Sequence, residues 1–282
     1  MGNLVRTPHS EVNTTLEVLD RLGITSDHLA RLRAEPDYAK RVAEFMLRGG
    51  LEGSVPHKLA KALMGKNFFG VEEWATIFNV QFTKKQLRQI AEFPWGEDVL
   101  NAPCPFVKGK TVKETHFAFL GLEQVMGKSL SILGWQDLCP PTGQLKFYSY
   151  APQAWYSTQP FAKRTCKFRW YLMLTNIVPN SESQTYEEQL RMVPADYEVP
   201  TAVEDVSKHL LVVKKTGSLP NQTRWGRVND LTIKVGDITT DGHRVIVGGC
   251  GGGGLNVYYG LGGYRVSYIG LSVSRKVPSR TL

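Results

Sequence analysis

The chain has 282 residues and a mass of 31.6 kDa, with 42% apolar, 21% charged and 10% aromatic residues, a composition that excludes disordered, collagen-like and fibrous classes. Lysine and arginine total 34 against 26 acids, a formal charge of +8 that permits an acidic partner, yet no run of five like charges occurs; the densest clusters are Lys163-Arg164 with Lys167 and Arg169, Lys214-Lys215, and Arg224 with Arg227. No stretch of 18 apolar residues exists and the N-terminus lacks the apolar core of a signal peptide, so the expectation is a soluble chain without a membrane segment, cytoplasmic or carried in a particle.

From about Thr14 to Leu100 the apolar spacing is helical. Leu16, Leu19 and Leu22 recur every three residues, then Leu29 and Leu32, and then Tyr38, Val42, Phe45 and Met46 share one face of a 3.6-residue period. Ser26-Asp27 can cap the second of these helices, Pro36 can open the third and Gly49-Gly50 can end it. The sequence further predicts a helix over Val71 to Phe78 and another over Lys84 to Glu92 with Thr83 as its N-cap. Lys84, Lys85 and Arg88 could meet phosphate in a helix-turn-helix, but they also lie opposite Phe82, Leu87 and Ile90, as ordinary exposed residues do.

From Cys104 onward the texture turns to strands and loops. Val107, His116 to Leu122, Leu130 to Leu133, Leu145 to Tyr150, Phe168 to Leu174, His209 to Val213 and Arg244 to Val247 read as strands. Pro140-Pro141, Pro179-Asn180 and Pro220-Asn221 mark loops, and Ser183 to Met192 reads as a helix capped by Ser183. The fold class is therefore α+β, divided into a helical region, 1–103, and a mixed region, 104–282.

Metal, redox and catalytic signatures are sparse. Cys104, Cys139, Cys166 and Cys250 show no CxxC spacing, the six histidines are dispersed, and GxSxG, HExxH and phosphate-loop patterns are lacking. Val228-Asn229-Asp230 is the nearest fragment to a calcium-ligand motif, and acid pairs such as Glu72-Glu73, which could serve glycoside cleavage only if two faced each other across a cleft, are expected to be solvated helix residues. The expectation is no catalytic residue, no metal and no cofactor.

The C-terminal stretch stands apart. Between Gly242 and Gly263, ten of 22 residues are glycine, and between Val235 and Arg275 there is no Lys, Glu, Gln, Met or Trp, although these types supply 57 of the 282 residues. None of the five is reached when only the adenines of an AAC codon change, whereas Gly, Cys, Tyr, Asn, Ser, Leu, Val and Arg are. The frame GLNV (Gly254 to Val257), SYIG (Ser267 to Gly270) and SRK (Ser274 to Lys276) resembles the variable region of diversity-generating retroelement target proteins. The upstream segment from Phe147 to Lys163 and the PTA run with the apolar strand expected after it, Pro200 to Val213, are similar to the same family.

That resemblance implies a C-type lectin-like domain of the formylglycine-generating-enzyme branch, with a variable region over about 244–276. It also implies a receptor whose ligand surface is rewritten through a template copy mutated at adenines, in a phage or prokaryotic, cytoplasmic or virion-associated setting. Val245, Val247, Leu255, Val257, Tyr268 and Ile269 would be scaffold. Gly249, Cys250, Gly251, Gly253, Tyr258, Tyr259, Gly260, Gly262, Gly263, Tyr264, Val266 and Ser267 would form the ligand-binding surface, with the tyrosines as rigid amphipathic contacts. The partner is expected to be a protein or cell-surface ligand; nucleic acid is the less favoured alternative, and a formylglycine-generating-type enzyme less favoured still, because the resemblance asks for paired cysteines where Cys250 stands alone.

Overall fold

The computed structural model describes residues 7–47, 55–139, 142, 146–151, 153–235 and 241–278. Backbone contacts divide the chain into two compact units, Met1–Glu52 and Gly53–Leu282, so the boundary expected after residue 103 is not where the chain separates. Among its described residues the first unit holds three short helices, α1 (His9–Arg21), α2 (Ser26–Ala34) and α3 (Pro36–Leu47). Thr25, one residue before the expected cap, opens α2, its N–H donating to Nδ1 of His28, and Pro36 opens α3 as its fixed φ allows. The Gly49-Gly50 stop lies outside the described residues, as do Pro140-Pro141 and Leu145.

The second unit runs α4 (Val55–Met64), β1 (Phe68–Phe69), α5 (Val71–Phe78), α6 (Lys84–Gln89), α7 (Glu97–Asn101), α8 (Val112–Thr115), β2 (His116–Leu120), β3 (Gln124–Val125), β4 (Lys128–Ser129), α9 (Ile132–Leu138) and α10 (Pro160–Lys163). It continues with β5 (Trp170–Leu174), α11 (Tyr186–Leu190), β6 (Tyr197–Glu198), α12 (Ala202–Thr216), β7 (Trp225–Leu231), β8 (Arg244–Gly248), β9 (Asn256–Gly260), β10 (Ile269–Leu271) and β11 (Ser274–Arg275). The architecture is mixed α+β. One sheet has the order β1-β2-β5-β11-β6, parallel only between β1 and β2; a second has the order β10-β7-β8-β9, parallel only between β10 and β7.

Tryptophans tie the early helices to the first sheet. Buried Trp74 on α5 donates from Nε1 to the Leu120 carbonyl at 2.8 Å, and Trp170 on β5 donates to the carbonyl of Ile90 at 3.1 Å. Each indole thus buries a large apolar face while its polar atom is satisfied, which is what an interior tryptophan needs. These bonds span 46 and 80 residues of sequence, so residues 55–101 pack as part of the β-rich unit.

Helix α12 corrects the strand expected over His209 to Val213. Its N-terminus carries a reciprocal cap in which the Thr201 N–H donates to Glu204, and its C-terminus closes on Gly217 at φ 72, with the Gly217 N–H bonded to the Val213 carbonyl at 2.8 Å. Residues from Ala202 to Val213 are buried on every face except at Glu204, so the run His-Leu-Leu-Val-Val is continuously apolar as in a buried strand. Lys208 and Asp205 pair at 2.7 Å in this interior, and Ser272 donates to the second Asp205 oxygen.

Other expectations shift as well. Leu130 to Leu133 is not a strand: Ser131 caps α9 by accepting the Gly134 N–H, and Leu133 lies inside that helix. Val107 lies in a turn, and from the Leu145 to Tyr150 run only an isolated parallel bridge, Phe147 to Leu255, forms among the described residues. Helix α6 stops at Gln89, ahead of Glu92, and α11 begins at Tyr186 with Thr185, not Ser183, accepting the cap bond from Glu188.

Candidate functional site: the β8–β10 face

Strands β8 and β9 form a hairpin with register Val247↔Val257 and Val245↔Tyr259, and the inward members Val245, Val247, Leu255 and Val257 are all buried. The free edge of β9 is closed by side chains in place of another strand. The Val257 carbonyl accepts both the Tyr150 hydroxyl at 2.8 Å and Trp155 Nε1 at 2.9 Å, while Leu255 exchanges backbone bonds with Lys146 and Tyr148. Such covering blocks edge pairing with another chain.

An aromatic cluster stands on this edge. Tyr258 and Tyr259 have ring centroids 5.1 Å apart with planes at 16°, and Trp155 meets Tyr259 edge-on at 4.6 Å. Tyr258 is 47% exposed, whereas Tyr259 is half-buried between Trp155 and His243. Trp155 and Tyr148 are members of this surface that the C-terminal residue pattern alone does not indicate; their place shows only once β9 is seen against the segment before α10.

The two glycine-rich turns differ. In the β8–β9 turn, Gly249 has φ 60 and a Cβ there would stand 2.5 Å from the Trp225 ring; Gly254 has φ 100 and a Cβ would stand 2.5 Å from the Lys146 carbonyl oxygen. Both are conformational requirements, so Gly249 is removed from the positions expected to display varied side chains. Cys250 is corrected too: it is 4% exposed, and desolvation pushes its thiol up to about 12, the opposite of a reactive or displayed cysteine. Gly251 and Gly253 keep ordinary backbone angles, and a Cβ at either would meet only contacts beyond 3.2 Å; at Gly252 it would meet nothing.

The second turn, between β9 and β10, is open. A Cβ at Gly260 or Gly263 would meet nothing within 4 Å, and at Gly262 only the Tyr186 Cβ at 3.6 Å. Tyr264 is 59% exposed, Ser267 is exposed, and Val266 is half-buried. Tyr268, expected to point inward, is 49% exposed against Trp225 at 5.3 Å, while its neighbour Ile269 is buried. Tyr268 lies in the turn just ahead of β10, which begins at Ile269 and is buried throughout.

This turn is held by its backbone. The Gly262 carbonyl accepts the Tyr186 N–H at 2.8 Å, the Val266 carbonyl accepts the Ser183 N–H at 2.9 Å, and the Tyr264 carbonyl accepts Nη2 of Arg227 at 2.5 Å. Arg227, on β7, is 1% exposed and spends its other terminal nitrogen on the Gln184 carbonyl at 2.9 Å. Burial lowers its pKa from the usual arginine value, and its two carbonyl acceptors are the dipoles that keep the cation tolerable there. No displayed side chain takes part in these three bonds. The conformation of the turn is therefore set by residues outside it.

The basic residues of this face are mostly engaged. Arg224 pairs with Glu182, Arg265 reaches Glu188 at 2.5 Å, and the Arg244 guanidinium lies 4.0 Å above the Tyr186 ring. Asp230, in the calcium-like fragment, already accepts from Arg164 and from the Ala202 N–H. Among the described residues no group of three or more His, Cys, Asp or Glu side chains could hold a metal ion, and no helix is long and apolar enough to cross a membrane.

Comparison of the chain with protein-family models, with curated proteins and with solved structures finds no match.

Proposed function

We propose that this chain is a ligand-binding protein of the diversity-generating retroelement type, a C-type lectin-like domain whose C-terminal surface is diversified at adenines to recognise varied macromolecular targets. What supports the reading is one feature of the β9–β10 turn: its carbonyls are fixed by Tyr186, Ser183 and Arg227, while Gly263, Tyr264 and Ser267 face solvent. Sequence can then change on the surface without changing the backbone that presents it, which is the physical demand on any diversified binder. In this copy Tyr258 and Tyr264 supply large, rigid, half-exposed rings beside glycines that leave room for a target, the chemistry of tyrosine-rich paratopes.

The nucleic-acid alternative draws less from this face, since Arg224 and Arg265 are paired with glutamates. The enzyme alternative would need a thiolate, and Cys250 is held as a thiol by its burial.

A library randomised at Gly252, Tyr258, Gly263, Tyr264 and Ser267, displayed and selected against several unrelated proteins, tests the reading. Folded binders to most targets are expected. A library in which these substitutions mostly unfold the domain would contradict it.

A further inference from the structure

The three helices of the first unit have no interior. Among its described residues none is buried, and α1 exposes Val12, Leu16 and Leu22, the last at 74%. With half-buried Leu19 these form one apolar stripe, at steps of three and four residues. Helices of 13, 9 and 12 residues are marginal on their own, and a small unit that buries no side chain does not offset the entropy of ordering it. The missing burial has to come from a surface outside the unit.

Charge identifies that surface. The whole chain carries +8, but residues 1–52 hold seven bases and eight acids, so this unit has no net pull toward a polyanion. Its charges are instead divided between helices. Glu11, Asp27 and Asp37 lie in first turns, where the helix dipole favours an acid, and Glu35 is taken by Arg31 at 2.9 Å. Asp20 lies in the last turn of α1, where the dipole disfavours an acid, and Glu17 stands just before it. Both are exposed, with no ion-pair partner among the described residues; Arg33 on α2 and Lys40 and Arg41 on α3 are exposed and equally unpaired. The cations that α1 lacks are carried by α2 and α3.

We propose that this unit pairs with a second copy of itself across a two-fold axis, the apolar stripe of α1 lying on α2 and α3 of the other chain. Glu17 and Asp20 then meet Arg33, Lys40 and Arg41, and the axis makes every such contact twice. The receiving face is formed: α2 and α3 pack together with the Arg31 guanidinium 4.4 Å above the Tyr38 ring, leaving Met46 71% exposed and Leu29, Leu32 and Val42 half-buried. A stable interface takes about 20–30 residues a side, which three helices of this length supply. The pairing stands whether or not the C-terminal face binds a target; where it does, two linked faces gain avidity over one.

The test is the mass of the full chain in solution, by analytical ultracentrifugation over a range of micromolar concentrations. Twice the chain mass of 31.6 kDa is expected. Leu16→Glu combined with Leu22→Glu should return the mass of a single chain. Charge reversal adds a readout that misfolding does not imitate. Glu17→Lys with Asp20→Lys in one variant, and Arg33→Glu with Lys40→Glu and Arg41→Glu in another, should each weaken pairing by about tenfold or more, and an equimolar mixture of the two should restore the mass of two chains. A parent chain that stays single at the highest concentration, a mass of three or more chains, a dimer that the leucine variant leaves intact, or a mixture that does not pair would each overturn the proposal.

Discussion

The two glycine-rich turns of the C-terminal sheet share a composition and differ in what glycine does there. In the β8–β9 turn, Gly249 and Gly254 adopt backbone angles that L-residues avoid and lie against the Trp225 ring and the Lys146 carbonyl. In the β9–β10 turn, Gly260 and Gly263 have ordinary angles and empty surroundings. The first turn needs glycine; the second merely has it. A glycine count therefore cannot separate a structural turn from a surface open to variation, whereas the conformation and the space around each position can.

The sharpest way to break this contrast is Gly254→Ala, where a fixed backbone oxygen cannot yield. We expect a loss of about 3–5 kcal/mol in urea unfolding, combining strain at positive φ with overpacking. Acid should act next. Desolvation, aided by Lys208 and opposed by Asp205, lowers buried His209 to about 4, and burial lowers His116 to about 3, so both are neutral when folded and take up protons more readily when unfolded. Stability is then full above the ordinary histidine value of about 6.5 and falls as pH drops from there toward 4, by on the order of 3 kcal/mol for His209 alone. Thermal unfolding followed between pH 7 and pH 4 measures it, and His209→Asn should flatten that slope.

Arg227→Met should cost about 2–3 kcal/mol, because the Gln184 and Tyr264 carbonyls lose a charged donor. Amide exchange should speed up through residues 261–268 and remain slow in α12. At the small end, Gly263→Tyr and Gly252→Tyr should each stay within about 0.5 kcal/mol of the parent. A large loss at either would erase the distinction between the turns.

What the sequence made legible follows the same physics. Helix α5 was readable to its ends, because Val71 and Trp74 recur on one face and Asn79 at φ 53 stops the helix. Helix α12 was not: its middle is buried all round, so periodicity vanishes, and the signals that could have found it were the Thr201-to-Glu204 cap and the Lys-Lys-Thr-Gly ending. At the site, the exposure of Tyr258 and Tyr264 was legible in the sequence. Cys250 was not recognisable as buried, because glycines on both sides give no period to read. Tyr268 was not separable from its buried neighbour Ile269, because it lies in the turn ahead of β10, where strand alternation does not yet apply. Arg227 carried no local signal, since its partners lie 37 and 43 residues away in sequence.

The central claim, that the face built by β9 and the β9–β10 turn is a diversified binding surface, is tested most directly in DNA. Sequencing the region downstream of the gene should reveal a near-copy of the segment encoding Arg244 to Lys276, differing only at adenines, beside a reverse-transcriptase gene. The differences should spare the codons of Gly249 and Gly254 and fall on those of Gly252, Tyr258, Gly263, Tyr264 and Ser267. A downstream region with neither the copy nor the polymerase would contradict the account and leave the glycine-rich run as a fixed structural feature.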